Sequence, residues 1–281
     1  MTMETNTLEQ LAARARDGDR PSLDELVGRL VDDVYRLAFR MLGLRAEAED
    51  ATQEILIKVI TNLAQFRGDS TLRTWVWSIA TRHVLARQRG QREEVASFET
   101  IERLIAEGDR NPPQLSLTSN ELATLEEEVR LSCTQAMVMS LDREHRLAWI
   151  LAEVFELDGE TAAAIIGIEP ATYRKRLSRA RQRFGDWLEA HCGLSNPGNL
   201  CRCRRQIPVA TKFGVASLGA LQYAGHPGNA PRRRLPLADE AMLLERAADA
   251  LTRHPDYVAP VELVAQIRAL IDSARYRMFD A

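Results

Sequence analysis

Three cysteines and one histidine lie close together in the sequence, and their side chains could bind a metal ion or undergo redox chemistry. The four residues are His191, Cys192, Cys201 and Cys203. Thiolates and imidazole are ligands that Zn²⁺ prefers, and the glycines and proline between Cys192 and Cys201 allow the chain to turn back. The arginines beside the last two cysteines are expected to lower the pKa of the thiols, which favours metal binding and oxidation alike.

A solvated basic tail with incidental thiols is the alternative interpretation of this segment. His191 and Cys192 are adjacent and cannot easily chelate one ion if a helix continues through both, and Cys-x-Cys is a weaker zinc signal than paired Cys-x-x-Cys. Apart from this candidate Zn²⁺ site, the sequence predicts no cofactor and no catalysis. It has no His-Glu-x-x-His run, phosphate-binding glycine loop or Gly-x-Ser-x-Gly turn, and Cys133 lies in an apolar helical run, where a small buried thiol is expected.

Six cations without an intervening acid lie between Arg174 and Arg183. They surround an apolar stripe at helical spacing, and the phosphates of a nucleic acid would relieve their mutual repulsion. A short helix precedes this basic helix, with Asp158 as its N-cap and Gly167 at the left-handed position that ends it. Two helices joined by a tight glycine turn predict a helix-turn-helix, which places its second helix in the major groove of DNA.

Within the basic helix we expect two kinds of DNA contact. The residues expected to read base edges are Arg174, Lys175 and Ser178. Those expected to contact phosphates are Arg176, Arg179 and Arg183. A solvated helix face, neutralised by water and by acids such as Glu169 and Asp186, is the alternative.

The whole chain of 281 residues carries a formal net charge of −3, so a nucleic-acid role must rest on local charge. No uncharged apolar run of about 18 residues and no signal-peptide layout is present, so we expect a cytoplasmic protein. Apolar residues recur at helical spacing in two blocks, and the expected fold class is all-α.

The expected domains are a four-helix block at 8–90, a polar, flexible linker at 91–121, a helical domain at 122–191 and a C-terminal extension at 192–281. Breaks between the first four helices fall at 17–19, 42–44 and 67–70. In the linker, Gly108 and the Asn-Pro-Pro run at 111–113 oppose any long helix. The extension contains two amphipathic segments, Ala238 to Arg253 and Pro260 to Arg277, the second with an apolar stripe that includes Val261.

A sequence pattern in the second domain consists of Gly167-Ile168, Thr172, Arg176-Leu177 and Arg179-Ala180-Arg181. It resembles the −35 reader, region four, of the extracytoplasmic-function (ECF) sigma factors, which are promoter-recognition subunits of bacterial RNA polymerase. The resemblance implies that Thr172 also contacts DNA.

The first block carries a second pattern. Residues 49–58 resemble the helix of sigma region two that binds the polymerase clamp, and residues 66–70 with Thr74-Trp75 resemble the loop and helix that open and read the −10 element. The predicted polymerase-binding face consists of Asp50, Gln53 and Glu54, and a solvated face is its alternative. The residues expected at the −10 element are Phe66, Arg67, Asp69, Ser70, Arg73 and Arg82. We expect Trp75 in the core, and Trp77 either in the core or in a partner contact.

The two patterns together imply a sigma factor whose partners are core RNA polymerase and promoter DNA, with no membrane partner. A helix-turn-helix regulator that never contacts polymerase is the alternative, but it leaves the first block unexplained, and no heptad seam for a dimer is present. The C-terminal extension is expected to regulate the factor, as its own inhibitor or beside a separate anti-sigma factor. A small independent helical hairpin is the other interpretation of the extension.

Overall fold

The computed structural model describes residues 7–87, 90, 96–110, 117–225 and 256–272, and within these ranges the chain is built from α-helices. Eleven helices and one short 3₁₀ turn are described there, with an isolated backbone bridge between Cys192 and Cys201 and no named strand. The predicted all-α fold class is confirmed. None of the helices in these ranges combines the length and apolar character needed to cross a bilayer.

The four helices predicted for the first block are all present. They are α1 (Leu8–Arg16), α2 (Arg20–Leu42), α3 (Arg45–Thr61) and α4 (Leu72–Ala86). Thr7 forms a capping box with Gln10 at the start of α1. Gly43 ends α2 with a φ of 78°, a left-handed conformation that glycine adopts without strain. Helix α2 contacts α1, α3 and α4, which buries its predicted apolar face.

The later helices are α5 (Phe98–Arg110), α6 (Ser119–Ser140), α7 (Arg143–Glu153), α8 (Gly159–Ile166), α9 (Pro170–His191), α10 (Cys203–Lys212) and α11 (Val261–Asp272). Contacts divide the chain into two compact units. The first unit consists of the described residues of Met1–Gln88, Leu157–Tyr173 and Tyr257–Ala281. The second unit consists of those of Arg89–Glu156 and Arg174–Asp256. The domain boundaries expected at 90, 121 and 191 stay a prediction.

Helix α5 occupies part of the predicted linker, so the expectation that Gly108 opposes a long helix is wrong. Phe98, in the first turn of α5, lies with its ring centroid 6.5 Å from that of Phe184 and 5.8 Å from that of Trp187. The side chain of Gln206 occupies the space that a Cβ at residue 108 would need. Glycine at this position therefore permits close packing of α10 on α5, and it does not act as a helix break.

The chain that follows α9 is part of the core of the second unit. Helix α10 contacts α5 and α6, and Ile207 and Ala216 are buried in one apolar cluster with Leu125 and Val129 of α6. The part of the extension that begins at α10 therefore packs as an integral part of the second unit.

A buried carboxylate on α6 binds the same segment. Glu128 is 0% exposed and accepts hydrogen bonds from the backbone amides of Gln222, Tyr223 and Ala224 at 2.8, 3.0 and 2.6 Å. Because a buried charge without partners is strongly unfavourable, a chain ending near Gly193 would lose these donors and destabilise α6. A change in activity on truncation at that point would therefore reflect loss of folding as well as any loss of regulation.

Helix α11 packs on α2 and α3 within the first unit. The ring of Tyr257, just before α11, lies 4.4 Å from the Phe39 ring and 5.2 Å from the guanidinium carbon of Arg40, and the Ala259 amide donates to Asp32 at 2.8 Å. The sequence placed Val261 in the apolar stripe, but it is 79% exposed, since Leu263 and Ile267 form the buried face. The other predicted helix, Ala238 to Arg253, lies outside the described residues, and the regulatory role of the extension stays a prediction.

We expect Glu128→Ala to lower the free energy of unfolding of the second unit by about 3 kcal/mol, because three backbone amides, of which that of Tyr223 is buried, would lose a charged acceptor. Urea unfolding followed by circular dichroism measures this change. Glu127→Ala is the matched control, because that carboxylate pairs with Arg130 and is 36% exposed, and its loss is expected to change stability by about 0–1 kcal/mol. Equal losses from the two variants would contradict the role given to Glu128.

Candidate nucleic-acid interface

The loop predicted to read the −10 element is fixed at both ends by side chains of α1. Arg16 donates to the backbone carbonyl of Phe66 at 3.2 Å, and Glu9 accepts from the amide of Leu72 at 3.0 Å, at the first turn of α4. Between them Gly68 has a φ of 81°, which favours glycine. The sequence reasoning missed both anchors, because they join residues about fifty and sixty positions apart.

The polar side chains predicted for the −10 element are exposed. Those on the loop itself are Arg67, Asp69 and Ser70. Arg73 lies 3.4 Å from the carboxylate of Asp33, and Arg82 folds along α4 to donate to the carbonyl of Ser78 at 2.9 Å. Both arginines remain exposed, so their guanidinium groups can reach a strand that follows the loop.

The aromatic residues of this region differ from expectation. Trp77 is 3% exposed and belongs to the core, whereas Trp75 is half-buried with its ring 5.6 Å from that of Phe66, so the assignment of Trp75 to the core is wrong. The reason is helical spacing: Trp77, Ala80 and Val84 share the buried face of α4, and a residue two positions from Trp77 points elsewhere. Phe66 and Trp75 thus form an apolar wall beside the loop.

The predicted polymerase-binding face on α3 has internal partners. Arg87 lies 3.8 Å from the Asp50 carboxylate and 3.6 Å from that of Glu54, and His83 lies 3.5 Å from Glu54. Asp50 and Glu54 are nevertheless exposed, and Gln53 is half-buried. The spacing of four residues between His83 and Arg87 places both side chains on one face of α4, against the acidic face of α3.

The surroundings of His83 favour its neutral form. The ammonium of Lys58 lies 2.7 Å from its Nδ1, so that nitrogen acts as an acceptor. Burial lowers the pKa of His83 from its ordinary 6.5, and the positive charges of Lys58 and, to a smaller extent, Arg87 lower it further. The carboxylate of Glu54 raises the pKa but does not offset these effects.

The two helices of the predicted helix-turn-helix begin and end as expected. Asp158 accepts hydrogen bonds from the amides of Glu160 and Thr161 at 3.0 and 2.9 Å, and those from Thr161 lower the pKa of its carboxyl group. Gly167 ends α8 with a φ of 77°. Tyr173 is 1% exposed beside Gly159, and α8 packs against α4 within the first unit.

The basic residues of α9 fall into two groups. Three of them form ion pairs with acids of the second unit, Arg176 with Glu144 at 2.6 Å, Arg181 with Glu153 at 2.6 Å and Arg183 with Asp142 at 3.6 Å. The three that have no ion pair among the described residues are Arg174, Lys175 and Arg179, and all three are exposed. Thr172 and Ser178, also predicted to contact DNA, are exposed as well.

The cysteines meet at one apolar cavity of about 160 Å³ in the second unit, but in a different set from the predicted one. Cys133 joins Cys192, Cys201 and Cys203 in its wall, while His191 lies 3.2 Å from Glu102 and stacks on Trp187. In the part of the chain that the structure describes, no group of three or more His, Cys, Asp or Glu side chains is arranged to hold a metal ion.

The expected lowering of the thiol pKa by the neighbouring arginines does not occur at Cys203. Burial raises the pKa of the Cys203 thiol to about 12, because desolvation of the thiolate outweighs the attraction of Arg130. Burial likewise raises the pKa of Cys133.

Comparison with known proteins agrees with these elements. Residues 26–94 match the family described as sigma-70 region 2. The chain is 36% identical over 173 residues to the ECF RNA polymerase sigma factor SigE of Mycolicibacterium smegmatis, which covers 61% of this chain and 63% of that protein. It is 32% identical to the RNA polymerase sigma-H factor of Pseudomonas aeruginosa, in an alignment that covers 64% of this chain and 93% of that protein. It is 33% identical to the ECF RNA polymerase sigma-E factor of Escherichia coli K12, in an alignment that covers 66% of this chain and 96% of that protein.

A solved structure of the sigma factor RpoE in complex with the anti-sigma factor NepR from Bartonella quintana also aligns, over 59% of this chain and 95% of that one. Its identity is 20% and its TM-score 0.39, too low to support any argument.

The helical fold and the two motif sets define a sigma-70-type transcription factor. Within that class, the chain belongs to the ECF group of RNA polymerase sigma factors.

We expect the free energy of unfolding of the first unit to decrease as the pH falls below about 6.5. The unfolded chain then takes up a proton on His83 that the folded chain, with its lowered pKa, does not bind. The free energy of unfolding should continue to decrease until the pH reaches the lowered pKa of His83 in the folded chain. Urea unfolding between pH 7.5 and 5.5 measures the slope, and His83→Gln should reduce it, whereas an identical slope in that variant would contradict this role.

Proposed function

We propose that this chain binds core RNA polymerase through α3 and directs it to promoters by reading the −10 element with residues 66–82 and the −35 element with α9. The observation that best supports this is a group of exposed cations in the first half of the second helix of a helix-turn-helix. They are Arg174, Lys175 and Arg179, which have no ion pair among the described residues. In this proposal the chain acts in the cytoplasm as a DNA-binding subunit and catalyses no reaction itself.

The acidic face of α3 supports a protein contact of basic character. Asp50 and Glu54 expose 69% and 56% of their side chains although Arg87 lies nearby, so their carboxylates can accept further cationic partners. Distances of 3.6–3.8 Å to Arg87 are those of loose, solvent-screened ion pairs, which contribute little to stability. We infer that exchange of Arg87 for a polymerase cation carries only a small free-energy cost.

The −10 segment has the components that hold an extruded base. Trp75 supplies a half-buried aromatic face, against which Phe66 packs at 9% exposed. Stacking on an aromatic face contributes about 1–3 kcal/mol per base. Arg67, Arg73 and Arg82 are exposed cations of the same segment and can contact the phosphates. The anchors from α1 keep this loop in place before DNA arrives, which limits the conformational entropy lost on binding.

The ion pairs of α9 suggest which of its residues contact base edges and which contact phosphates. Arg174 and Lys175 lie in the N-terminal part of the helix, which in a helix-turn-helix faces base edges. Arg176 and Arg183 are bound to Glu144 and Asp142, so contact with a phosphate requires them to exchange a carboxylate for it. Arg179 has no such competitor among the described residues and is the strongest candidate for a phosphate contact.

Run-off transcription with purified core polymerase and promoters selected from genomic fragments tests the proposal. Specific initiation that depends on this chain supports it. DNA binding without any stimulation of core polymerase would favour the alternative, an operator-binding regulator.

We expect the double change of Asp50→Ala and Gln53→Ala to weaken binding to core polymerase while leaving the helical content intact, because it removes the acceptor groups of the exposed face. Affinity is measured by fluorescence titration of labelled protein with core enzyme, and helicity by circular dichroism. Glu25→Ala is the matched control: Glu25 is an exposed acid of α2 that pairs with Arg29, and its loss should leave core affinity unchanged. Unchanged affinity in the double variant would overturn the assignment of this face.

Substitutions in α9 should separate base readers from phosphate contacts. We expect Arg174→Ala or Lys175→Ala to alter sequence preference at the −35 element, with about 1–3 kcal/mol of discrimination lost for a bidentate contact to guanine. Arg179→Ala or Arg183→Ala should weaken binding to all sequences and reduce the salt slope by about one unit per lost phosphate contact. Binding to a panel of duplexes at several salt concentrations measures both effects.

Arg181→Ala is the control for that series, because Arg181 lies on the same helix but its guanidinium donates to Glu153 of α7 at 2.7 Å. We expect it to change neither sequence preference nor the salt slope. Equal losses on every sequence from Arg174, Lys175, Arg179 and Arg183 would remove the distinction between the two groups.

A further inference from the structure

We propose that Cys192 and Cys201 form a modification site at which a small hydroperoxide converts two thiols into an intramolecular disulfide. The two residues are joined by an isolated parallel backbone bridge at the end of α9. Bridged backbones lie about 4.8 Å apart, and a disulfide spans a Cα separation of about 4.4–6.8 Å. The cross-link can therefore form without a change in the path of the backbone.

The loop between the two cysteines is held closed by its own hydrogen bonds. The side chain of Asn199 donates to the carbonyls of Glu189 and Cys192 at 2.9 and 3.3 Å, and Arg202 donates to the carbonyls of Asn199 and Cys201 at 2.6 and 2.8 Å. These bonds keep the two ends of the loop together whether or not the sulfur atoms are linked.

Gly193 provides an independent sign of this close approach. A Cβ at this position would overlap the backbone carbonyl oxygen of Cys201 and the guanidinium of Arg202. Only glycine lets the two chain segments come this near to each other.

The surroundings of the pair admit a small oxidant. Cys192 and Cys201 are half-buried and line the cavity of about 160 Å³, which has ample room for a molecule of the size of hydrogen peroxide. Cys133 and Cys203 lie in the same wall, but burial raises the pKa of both thiols, and the thiolate is the form that reacts with peroxide. Burial therefore slows the reaction of Cys133 and Cys203, and the backbone bridge is what brings Cys192 and Cys201 together.

The reaction balances with hydrogen peroxide as the oxidant. The thiolate of one cysteine attacks an oxygen of the peroxide, the O–O bond breaks, and a sulfenic acid and hydroxide form. The thiolate of the second cysteine then attacks the sulfenic sulfur, the S–S bond forms, and the S–O bond breaks with release of hydroxide. Two thiol protons and the two hydroxides give two molecules of water, and the two sulfur atoms together lose the two electrons that the peroxide gains.

The disulfide would join the end of α9 to the start of α10. Helix α9 carries the cations assigned to the −35 element, and α10 packs on α5 and α6. Oxidation would therefore tie the recognition helix covalently to the C-terminal segment and suppress local opening of the loop between them.

The test uses the full-length protein, reduced and then treated with hydrogen peroxide, followed by thiol alkylation under denaturing conditions and non-reducing peptide mapping. The expected result is a fall from four titratable thiols to two, a linked peptide that contains Cys192 and Cys201, and reversal by dithiothreitol. Cys192→Ser and Cys201→Ser should each abolish this product, whereas Cys133→Ser should retain it. Four remaining thiols, or a link between any other pair in the unmodified sequence, would overturn the proposal.

Hydrogen exchange supplies a second measurement that does not depend on any variant. Amides between Gly193 and Arg202 should exchange at least several-fold more slowly in the oxidised protein than in the reduced protein, and equal rates would contradict the proposed tie. Because neither experiment uses polymerase or DNA, its outcome is independent of the proposed promoter-reading function.

Discussion

One buried carboxylate determines how much of the second unit can form. Glu128 has no exposed surface, and a charge in such a place is tolerated only when it is fully hydrogen-bonded. Its donors among the described residues are three consecutive backbone amides, Gln222 to Ala224. The C-terminal segment must therefore return to α6, and α10 is then packed between α5 and α6. The cavity that the four cysteines line results from this packing of α10.

Ion pairs determine which cations of α9 remain available to bind DNA. A helix with six cations would repel itself, and acids of α7, with Glu144 as one example, neutralise part of that charge. The cations that remain without such a partner in the described residues lie where a helix-turn-helix meets DNA. This is how a chain with a net charge of −3 presents a local basic surface.

Much of the fold followed from local chemistry, and so did the location of the candidate DNA site. The Asp158 cap, the Gly167 turn and the apolar stripe from Tyr173 to Phe184 involve residues a few positions apart, and the structure confirms all three. Predictions failed where a residue's role depends on a distant partner. Gly108 was taken for a helix break because the approach of Gln206 is invisible in the sequence, and Trp75 was given the core position that Trp77 occupies on the buried face of α4.

The sequence by itself determined the all-α class, the first four helices, the helix-turn-helix and the motif order of an ECF sigma factor, since caps, turns and periodicity act over single helical turns. Tertiary structure alone decided that Cys133 replaces His191 beside the other cysteines, that Arg87 lies beside the acidic face of α3, and that Glu128 binds residues about 95 positions away. The physical reason is that burial, desolvation and charge pairing depend on distances in space, and hydrophobic periodicity states which face of a helix is covered without stating what covers it.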